Sequence, residues 1–341
     1  MKILTFKIFA LLVLVAICNL FLNFFFYNKK LSGYWGNQSI LSKKNFLIKH
    51  EAEFNTLFIG SSKTKYQVDP VLFDSIINAS NTQKIHSYNI GVESMMPPES
   101  FHFYEKLLKD ESLHLKNVII ELDFFRNEDT ENLFNWRSLY WITTDNYKIY
   151  TSGLLHSHYT LYTKAKYLTI LNLMTATRIY NFGKFNEYVQ FKKNEFSIDT
   201  SLMGSNGFIA LAHPKSFNSS QLSKMTEVKN ASIVAFSKFK EWSEEKRNQA
   251  LFTSIEQIRE ISARRNVNLI FLMPIQWKSV QYRELFPILK GIPDKSKIVI
   301  ADYNKFKPLF DVNIAYDHAH LDSVGARVYT RDLAHEFLKK N

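Results

Sequence analysis

Short, continuous apolar runs recur along the chain, and they restrict its fold more than any other feature. The clearest runs are Thr56–Ile59, Asn117–Leu122 and Asn268–Met273. A strand that is apolar along its whole length must be buried on both faces, as in parallel sheets that are covered by helices. Two further runs, His86–Ile90 and Ile298–Ala301, have the same character. The pattern predicts a parallel sheet and therefore an α/β fold.

Helical periodicity fills the stretches between these runs. Apolar residues recur at helical spacing in Arg247–Arg264 and in Asp322–Leu338. A helix is also predicted from Pro70 onwards, and another over Glu99–Leu108, because the Pro97–Pro98 pair before it suits a first helical turn. Strands that alternate with helices indicate a sheet with helices on both faces. In such sheets, functional sites form at the carboxyl ends of the strands.

Residues 131–235 interrupt this alternation. They are rich in Tyr, Trp and Phe and contain few strand-like runs, which predicts a largely helical insertion. The insertion could be a lid or an acceptor-binding surface, or a packed subdomain without a direct role. Trp136, Tyr140 and Trp141 fit either stacking on sugars or packing in a core. The sheet domain is then expected in two stretches of chain, 51–130 and 236–341.

An apolar run over residues 8–27 precedes the predicted domain. As a helix it would extend about 30 Å, the thickness of the hydrocarbon core of a bilayer. A cleaved signal peptide would need a shorter apolar core and a small-residue cleavage site, whereas Phe24–Tyr27 lead directly into Asn28 and two lysines. The run predicts a single-pass membrane anchor over residues 1–28, with a linker over residues 29–50. Lysines flank both ends, so the positive-inside rule does not fix its orientation.

Composition narrows the class of protein further. Hydrophobic residues make up 46% of the chain, which favours a folded protein over a disordered one. The formal net charge of +11 is spread along the chain without a recognised nucleic-acid motif. We therefore expect a basic surface near anionic lipids or wall polymers, no nucleic-acid partner and no cofactor. The single cysteine, Cys18, lies in the apolar run, so no intrachain disulfide can form.

The first candidate for chemistry is the serine turn Gly60-Ser61-Ser62, which follows the first predicted strand. A serine in a glycine-containing turn that opens a helix presents its hydroxyl at the edge of the sheet. The backbone N–H groups of the helix start could stabilise an oxyanion during acyl transfer. The same residues would also serve as an ordinary turn with a helix N-cap.

The second candidate is the segment Asp317-His318-Ala319-His320. An Asp three residues before a His can fix the tautomer of the imidazole, whose free nitrogen can then accept a serine proton. The two histidines could instead bind a metal, but no further His or carboxylate cluster lies nearby, and His156 and His158 have the character of a surface pair. The segment could also be a solvated loop with Asp322 as the N-cap of the last helix. We therefore expect no metal site.

Together these motifs resemble those of the SGNH/GDSL hydrolase superfamily, over roughly residues 54–128 and 247–338. Gly60-Ser61-Ser62 matches the first block, although many members have Asp where this chain has Ser61. Asn89-Ile90-Gly91 matches the second block, and Asp317-x-x-His320-Leu321, followed by Gly325, matches the fifth.

The resemblance implies a three-layer sandwich of sheet and helices with an acyl-serine mechanism. Ser62 would be the nucleophile, His320 its base and Asp317 the residue that orients His320. The amides of Ser62 and Gly91 would stabilise the oxyanion. The neighbouring candidates for oxyanion or substrate binding are Asn89, Ser61 and Asp123.

The third block departs from the family pattern. It normally supplies an Asn to the oxyanion hole, whereas the third strand here ends as Ile120-Glu121-Leu122-Asp123, and Asn127 is out of register. Loss of one such donor typically costs about a hundredfold or more in rate. Asp123 could orient a substrate or simply end the strand. The departure leaves room for a slower enzyme, a dedicated transferase or a non-catalytic relative.

The resemblance is closest to the anchored, extracytoplasmic branch of the superfamily. That branch includes the D-alanyl transfer protein of teichoic-acid operons and the acetyltransferase-like proteins of exopolysaccharide assembly. It implies an esterase or O-acyltransferase with an acyl donor and a surface glycan or wall polymer as partners, and it is compatible with a membrane acyltransferase partner. The alternatives are a catalytically silent scaffold in envelope polysaccharide assembly and a lipid-directed esterase.

Overall fold

A parallel sheet lies at the centre of the fold. The computed structural model describes residues 2–30, 37–80, 84–109, 112–124, 137–179, 204–214, 216–276 and 278–340. Within these residues, five parallel strands pair in the order β2-β1-β3-β4-β5. The strands are β1 Thr56–Ile59, β2 Ser87–Asn89, β3 Asn117–Glu121, β4 Asn268–Met273 and β5 Lys297–Val299. The predicted α/β class and parallel sheet are confirmed.

Helices connect and flank the strands. Those of the described residues are, in chain order, α1 Lys2–Lys30, α2 Gln38–Lys49, α3 Ser62–Gln67, α4 Pro70–Ser80, α5 Glu99–Leu108, α6 Ser138–Trp141, α7 Thr144–Leu155, α8 Leu161–Ile179, α9 Ser219–Ser237, α10 Phe239–Trp242, α11 Gln249–Arg264, α12 Ser279–Gly291 and α13 Ser323–Leu338. Single 3-10 turns lie at Gly204–Gly207, Asp294–Ser296, Lys307–Phe310 and Val312–Ile314.

Each central strand serves two hydrophobic cores, which explains its continuous apolar sequence. In β1, Leu57 and Ile59 belong to one core, whereas Phe58 belongs to the other. Side chains from α5, α11 and α12 complete the first core, and side chains from α4 and α13 complete the second. Because successive residues of a strand point to opposite faces, only a strand without polar positions can fill both cores.

The two edge strands are shorter than their sequence patterns predict. The run His86–Ile90 yields the strand Ser87–Asn89, and the run Ile298–Ala301 yields a strand shifted to Lys297–Val299. An edge strand pairs with a single neighbour, so the assigned strand ends early even though the N–H of Ile90 still donates to the carbonyl of Phe58 at 2.8 Å. The central strands Thr56–Ile59 and Asn268–Met273 have the predicted bounds.

The N-terminal part of the chain contains two helices. Among the described residues, no helix combines the length and apolar character that crossing a membrane requires. The anchor predicted over residues 8–27 continues past residue 21 into positions whose side chains are not described. The following helix, Gln38–Lys49, lies in the stretch that was expected to be a linker, and it packs against the sheet domain through Ile40, Leu47 and Lys43.

Lys43 connects this helix to the carboxyl end of β2. Its side chain is fully buried, and its ammonium donates to the carbonyls of Asn89 at 3.0 Å, Gly91 at 2.8 Å and Gly207 at 2.8 Å. Asn89 ends the edge strand β2, Gly91 lies just beyond it and Gly207 lies in a 3-10 turn, so Lys43 joins the end of this strand to that turn. Burial, aided by the charge of Lys65 and opposed by that of Glu93, lowers the pKa of Lys43 to about 7.

This lowered pKa predicts how stability changes with pH. Between pH 7 and the ordinary lysine pKa of 10.5, the unfolded chain holds a proton that the folded chain lacks. The free energy of unfolding should therefore rise with pH across that window, by about 1.4 kcal/mol per pH unit from this group. Replacing Lys43 with Met should remove this rise. Urea unfolding of the full-length protein at several pH values from 6 to 10 (roughly the span of the two pKa values) measures it.

The exposed Lys49, on the same helix, supplies the control. Lys49→Met should keep the pH slope of the parent protein. Equal slopes in the parent and in Lys43→Met would contradict the prediction.

The described parts of residues 131–235 are mainly helical, through α6, α7, α8 and α9. Trp141 is 4% exposed and belongs to the first core, against which Tyr140 also packs. The core interpretation of these two aromatic residues therefore holds. Trp136 lies outside the described residues.

Candidate active site

The serine turn begins where β1 ends. Ser61 is the N-cap of α3 and accepts the N–H of Lys63 at 3.2 Å, and Ser62 is the first residue of the helix. Gly60 has no room for a side chain, since a Cβ there would lie 2.2 Å from Thr64 Oγ1 and 2.5 Å from a carboxylate oxygen of Glu121. The glycine of Gly-Ser-Ser thus allows Thr64 and Glu121 to pack closely against the turn, which leaves Ser62 at the edge of the sheet.

Ser62, His320 and Asp317 form one hydrogen-bonded relay. His320 Nε2 lies 2.8 Å from Ser62 Oγ, although the two residues are 258 positions apart in sequence. The other ring nitrogen, Nδ1, lies 2.9 Å from one carboxylate oxygen of Asp317 and 3.0 Å from the other. These distances are those of a nucleophile, a base and an orienting carboxylate.

The loop that carries Asp317 and His320 is fixed by its own backbone. Ala315 and Leu321 pair in an antiparallel bridge, and the N–H of Tyr316 donates to the carbonyl of His320 at 2.9 Å. Asp317 also accepts the backbone N–H groups of Ala319 at 2.6 Å and His320 at 2.8 Å. The carboxylate is therefore held in place independently of the imidazole.

Electrostatics favour the ionised form of Asp317. Burial of Asp317 acts to raise its pKa, but hydrogen bonds from His320 and from the backbone outweigh burial and lower that pKa below its ordinary value. An ionised Asp317 accepts a hydrogen bond from the N–H at Nδ1 of His320. Nε2 is then the lone-pair nitrogen, which suits it to receive the proton of Ser62.

An aromatic and charged wall lies beside His320. The ring of Tyr66 stands edge-on to the imidazole, with the ring centres 5.7 Å apart. The hydroxyl of Tyr66 donates to Glu93 at 2.5 Å, and Lys65 forms an ion pair with the same carboxylate. Burial acts to raise the pKa of Glu93, but the hydrogen bonds from Lys65 and Tyr66 prevail and lower it. The wall therefore contains an ionised carboxylate whose charge is paired with that of Lys65.

The second-block residues are placed differently from what the resemblance implies. The N–H of Gly91, the expected oxyanion donor, is donated to the side chain of Asn89 at 2.8 Å. The side-chain amide of Asn89 in turn donates to the carbonyls of Thr64 and Val68, each at 2.7 Å. Both residues therefore support α3. Asn89 bonds to its carbonyls, and Gly91 lies so close that a Cβ there would be 2.4 Å from the backbone nitrogen of Lys65.

Asp123 is fully buried. It accepts the side-chain amide of Gln281 at 2.9 Å and the N–H of Phe124 at 2.7 Å. This placement matches a residue that ends the strand. The neighbouring sequence position Asn127 lies outside the described residues.

Glu121 is the site residue that sequence reasoning missed. It is 2% exposed at the end of β3, and its carboxylate accepts the hydroxyl of Ser61 at 2.7 Å, the N–H of Ser61 at 2.9 Å and the hydroxyl of Thr64 at 2.7 Å. The available signal was a single acid within the apolar run of β3. An ionisable residue inside such a run requires partners, and those partners lie in the serine turn.

The histidines do not assemble a metal centre within the described residues, where no group of three metal-ligating side chains occurs. His158 instead contacts Glu284 at 2.8 Å and Glu245 at 3.2 Å, which joins the bend after α7 and the turn after α10 to helix α12. No family model matches the chain. No curated protein is significantly similar to it.

Proposed function

We propose that this chain is an acyl-serine esterase or O-acyltransferase of the SGNH/GDSL type. The observation that carries the proposal is the relay from Ser62 through His320 to Asp317, in which each contact is 3.0 Å or shorter. The position of Ser62 at the carboxyl end of a parallel strand supports it further. The motif resemblance over the same residues points to the same chemistry.

The reaction follows from the relay. Ser62 Oγ attacks the ester carbonyl while His320 Nε2 takes its proton, and the new C–O bond gives a tetrahedral intermediate. Collapse of the intermediate breaks the ester bond, and the leaving alkoxide takes the proton from His320. Water or a sugar hydroxyl then attacks acyl-Ser62 and passes its proton to His320. Collapse of the second tetrahedral intermediate breaks the bond between the acyl group and Ser62 Oγ, which takes the proton back from His320 as the acyl product leaves.

The expected rate is modest because oxyanion donors are few. The N–H of Gly91 is bonded to Asn89, which leaves the N–H of Ser62 as the proposed donor. Removing one donor from an oxyanion hole costs about 10²–10³ in kcat. A slow hydrolase, or a transferase that acts on a tethered substrate at high local concentration, tolerates such a loss.

The proposed substrate is an O-acylated surface polysaccharide or wall polymer, with the catalytic domain outside the cytoplasm on an N-terminal anchor. The motif resemblance to the anchored branch supports this part of the proposal. The net charge of +11 also favours anionic polymers and anionic lipid surfaces as neighbours.

A fluorophosphonate probe tests the activated serine. The full-length protein in detergent should be labelled, and labelling should be lost in Ser62→Ala and in His320→Ala, because the probe reacts only with a serine whose proton can be removed. Gel fluorescence and mass mapping of the labelled peptide measure the outcome. Ser75, an exposed serine on α4, provides the matched control, and Ser75→Ala should be labelled like the parent. An unlabelled, folded parent would contradict the proposal.

One observation favours a second candidate, a catalytically silent scaffold. The hydrogen bond between Gly91 and Asn89 removes the second-block donor, and the third-block Asn is absent from the sequence. A scaffold would use the SGNH-like surface to bind partners in polysaccharide assembly. The same labelling experiment separates the two candidates, since a scaffold leaves Ser62 unlabelled in the parent protein.

A further inference from the structure

We infer that Glu121 is a positioning residue for the nucleophile. The inference rests on the proposed function, because positioning has meaning only if Ser62 reacts. Glu121 does not contact Ser62 in the relay. It acts through Ser61, the residue immediately before the nucleophile.

The contacts of Glu121 fix both halves of Ser61. One carboxylate oxygen accepts the backbone N–H of Ser61 at 2.9 Å, and the other accepts its hydroxyl at 2.7 Å. The hydroxyl in turn caps α3 by accepting the N–H of Lys63 at 3.2 Å. Rotation of the Ser61 side chain would break the two bonds of its hydroxyl, and rotation of its peptide would break the bond of its N–H to the same buried carboxylate.

The third contact of Glu121 fixes the direction of the turn. Thr64 Oγ1, one helical turn after Gly60, donates to Glu121 at 2.7 Å. The carboxylate therefore bridges the start and the first turn of α3, and Gly60 provides the space in which it lies. Ser62 lies between Ser61 and Thr64, which are both bonded to Glu121, so these bonds hold Ser62 with its Oγ directed at His320.

Other contacts hold α3 independently of Glu121. Lys63 Nζ donates to the carbonyl of Ile275 at 2.6 Å, and Asn89 holds the carbonyls of Thr64 and Val68. A change at Glu121 should therefore lower stability moderately but leave the helix in place, so that its effect on the rate comes from the aim of the nucleophile. A displacement of about 1 Å in a reacting group can cost roughly a hundredfold in rate.

The isosteric change Glu121→Gln tests the inference. One side-chain oxygen can still accept from the Ser61 N–H and from Thr64, but the new amide faces the Ser61 hydroxyl and forces its proton away. We expect kcat for a small acyl ester to fall about 10- to 100-fold while KM changes less than about twofold. The rate constant of fluorophosphonate labelling should fall in parallel, because the probe reports the same nucleophile.

Asp74 offers a matched control at the opposite end of the sheet. It is also buried, and it accepts the N–H of Ser87 at 2.7 Å and the hydroxyl of the same residue at 2.5 Å. Asp74→Asn removes an equivalent pair of bonds from a serine at the amino end of β2. It should lower the thermal midpoint as Glu121→Gln does, yet leave kcat unchanged.

The outcomes separate this inference from the proposed function. A labelled parent in which Glu121→Gln keeps kcat within about twofold overturns only the positioning role. An equal loss of kcat in Asp74→Asn also overturns it, since the effect would then follow general stability. An unlabelled parent overturns the proposed function and the positioning role together.

Discussion

Replacing Asp317 with Asn should lower the kcat of ester cleavage by about 10⁴-fold, the loss that the same change causes in a serine-protease triad. Asp317 accepts the N–H groups of Ala319 and His320 as well as the imidazole. In the variant, the amide oxygen can keep the backbone bonds, and the NH₂ group then faces Nδ1 of His320. Nδ1 must accept a hydrogen bond, so the proton moves to Nε2. His320 would then donate to Ser62 and could no longer remove its proton.

Hydrolysis of p-nitrophenyl acetate by the full-length protein measures this effect, with the fluorophosphonate labelling rate as a second readout. The control is Asp311→Asn. Asp311 is exposed and accepts the N–H of Asn313 at 2.9 Å, the same local turn that Asp317 makes with Ala319, but without a histidine. Its variant should retain the parent rate. If Asp317→Asn kept kcat within about threefold, the orienting role of Asp317 would be wrong.

The sequence was sufficient for the centre of the fold because the physical signal there is local. The runs at Thr56–Ile59 and Asn268–Met273 are apolar at every position that fills a core, so their bounds follow from burial on both faces. The edge strands are less clearly marked. Ile90 and Ile300 are fully buried, and their N–H groups still donate to Phe58 at 2.8 Å and Met273 at 2.9 Å, but both lie beyond the ends of the assigned strands, so apolar character alone overstates the strand length.

The relay was also predictable, for a related reason. Ser62 follows a recognisable strand, and Asp317 and His320 lie three residues apart, close enough to bond within one loop. The sheet topology then needed only to bring two strand-end segments to the same edge. The bond between Ser62 and His320 is the contact on which sequence and structure converge.

The supporting charges could not be predicted, because each depends on a partner distant in sequence. Lys43 reads as one more lysine of a basic chain, yet its ammonium is buried against carbonyls 46, 48 and 164 residues away. Glu121 is bound by residues about 60 positions earlier. Charged residues are usually exposed, and one is buried only where partners in the tertiary structure offset the cost of removing it from water.

Disruption of the buried pair of Glu99 and Arg137 should cause the largest loss of stability among the variants proposed. Both side chains are 5% exposed or less, and Arg137 donates to Glu99 at 2.7 Å through one nitrogen and contacts it through a second. Glu99→Gln leaves a guanidinium that stays charged with no opposing charge in the pair. The expected loss is about 3–5 kcal/mol in the free energy of unfolding, whereas Glu99→Met combined with Arg137→Met should lose much less.

Urea unfolding of the full-length protein measures this loss, and a surface pair provides the control. Glu256 and Arg259 are 38% and 28% exposed and lie 2.6 Å apart, so Glu256→Gln should cost no more than about 1 kcal/mol. Equal losses in the two single variants would contradict the prediction that burial makes the Glu99–Arg137 pair more important for stability.

The pair of Glu99 and Arg137 also affects the candidate active site, because Arg137 donates to the carbonyl of Glu93 at 2.7 Å. Glu93 anchors Tyr66 beside His320, so a loosened Arg137 should lower the labelling rate of Ser62 along with stability.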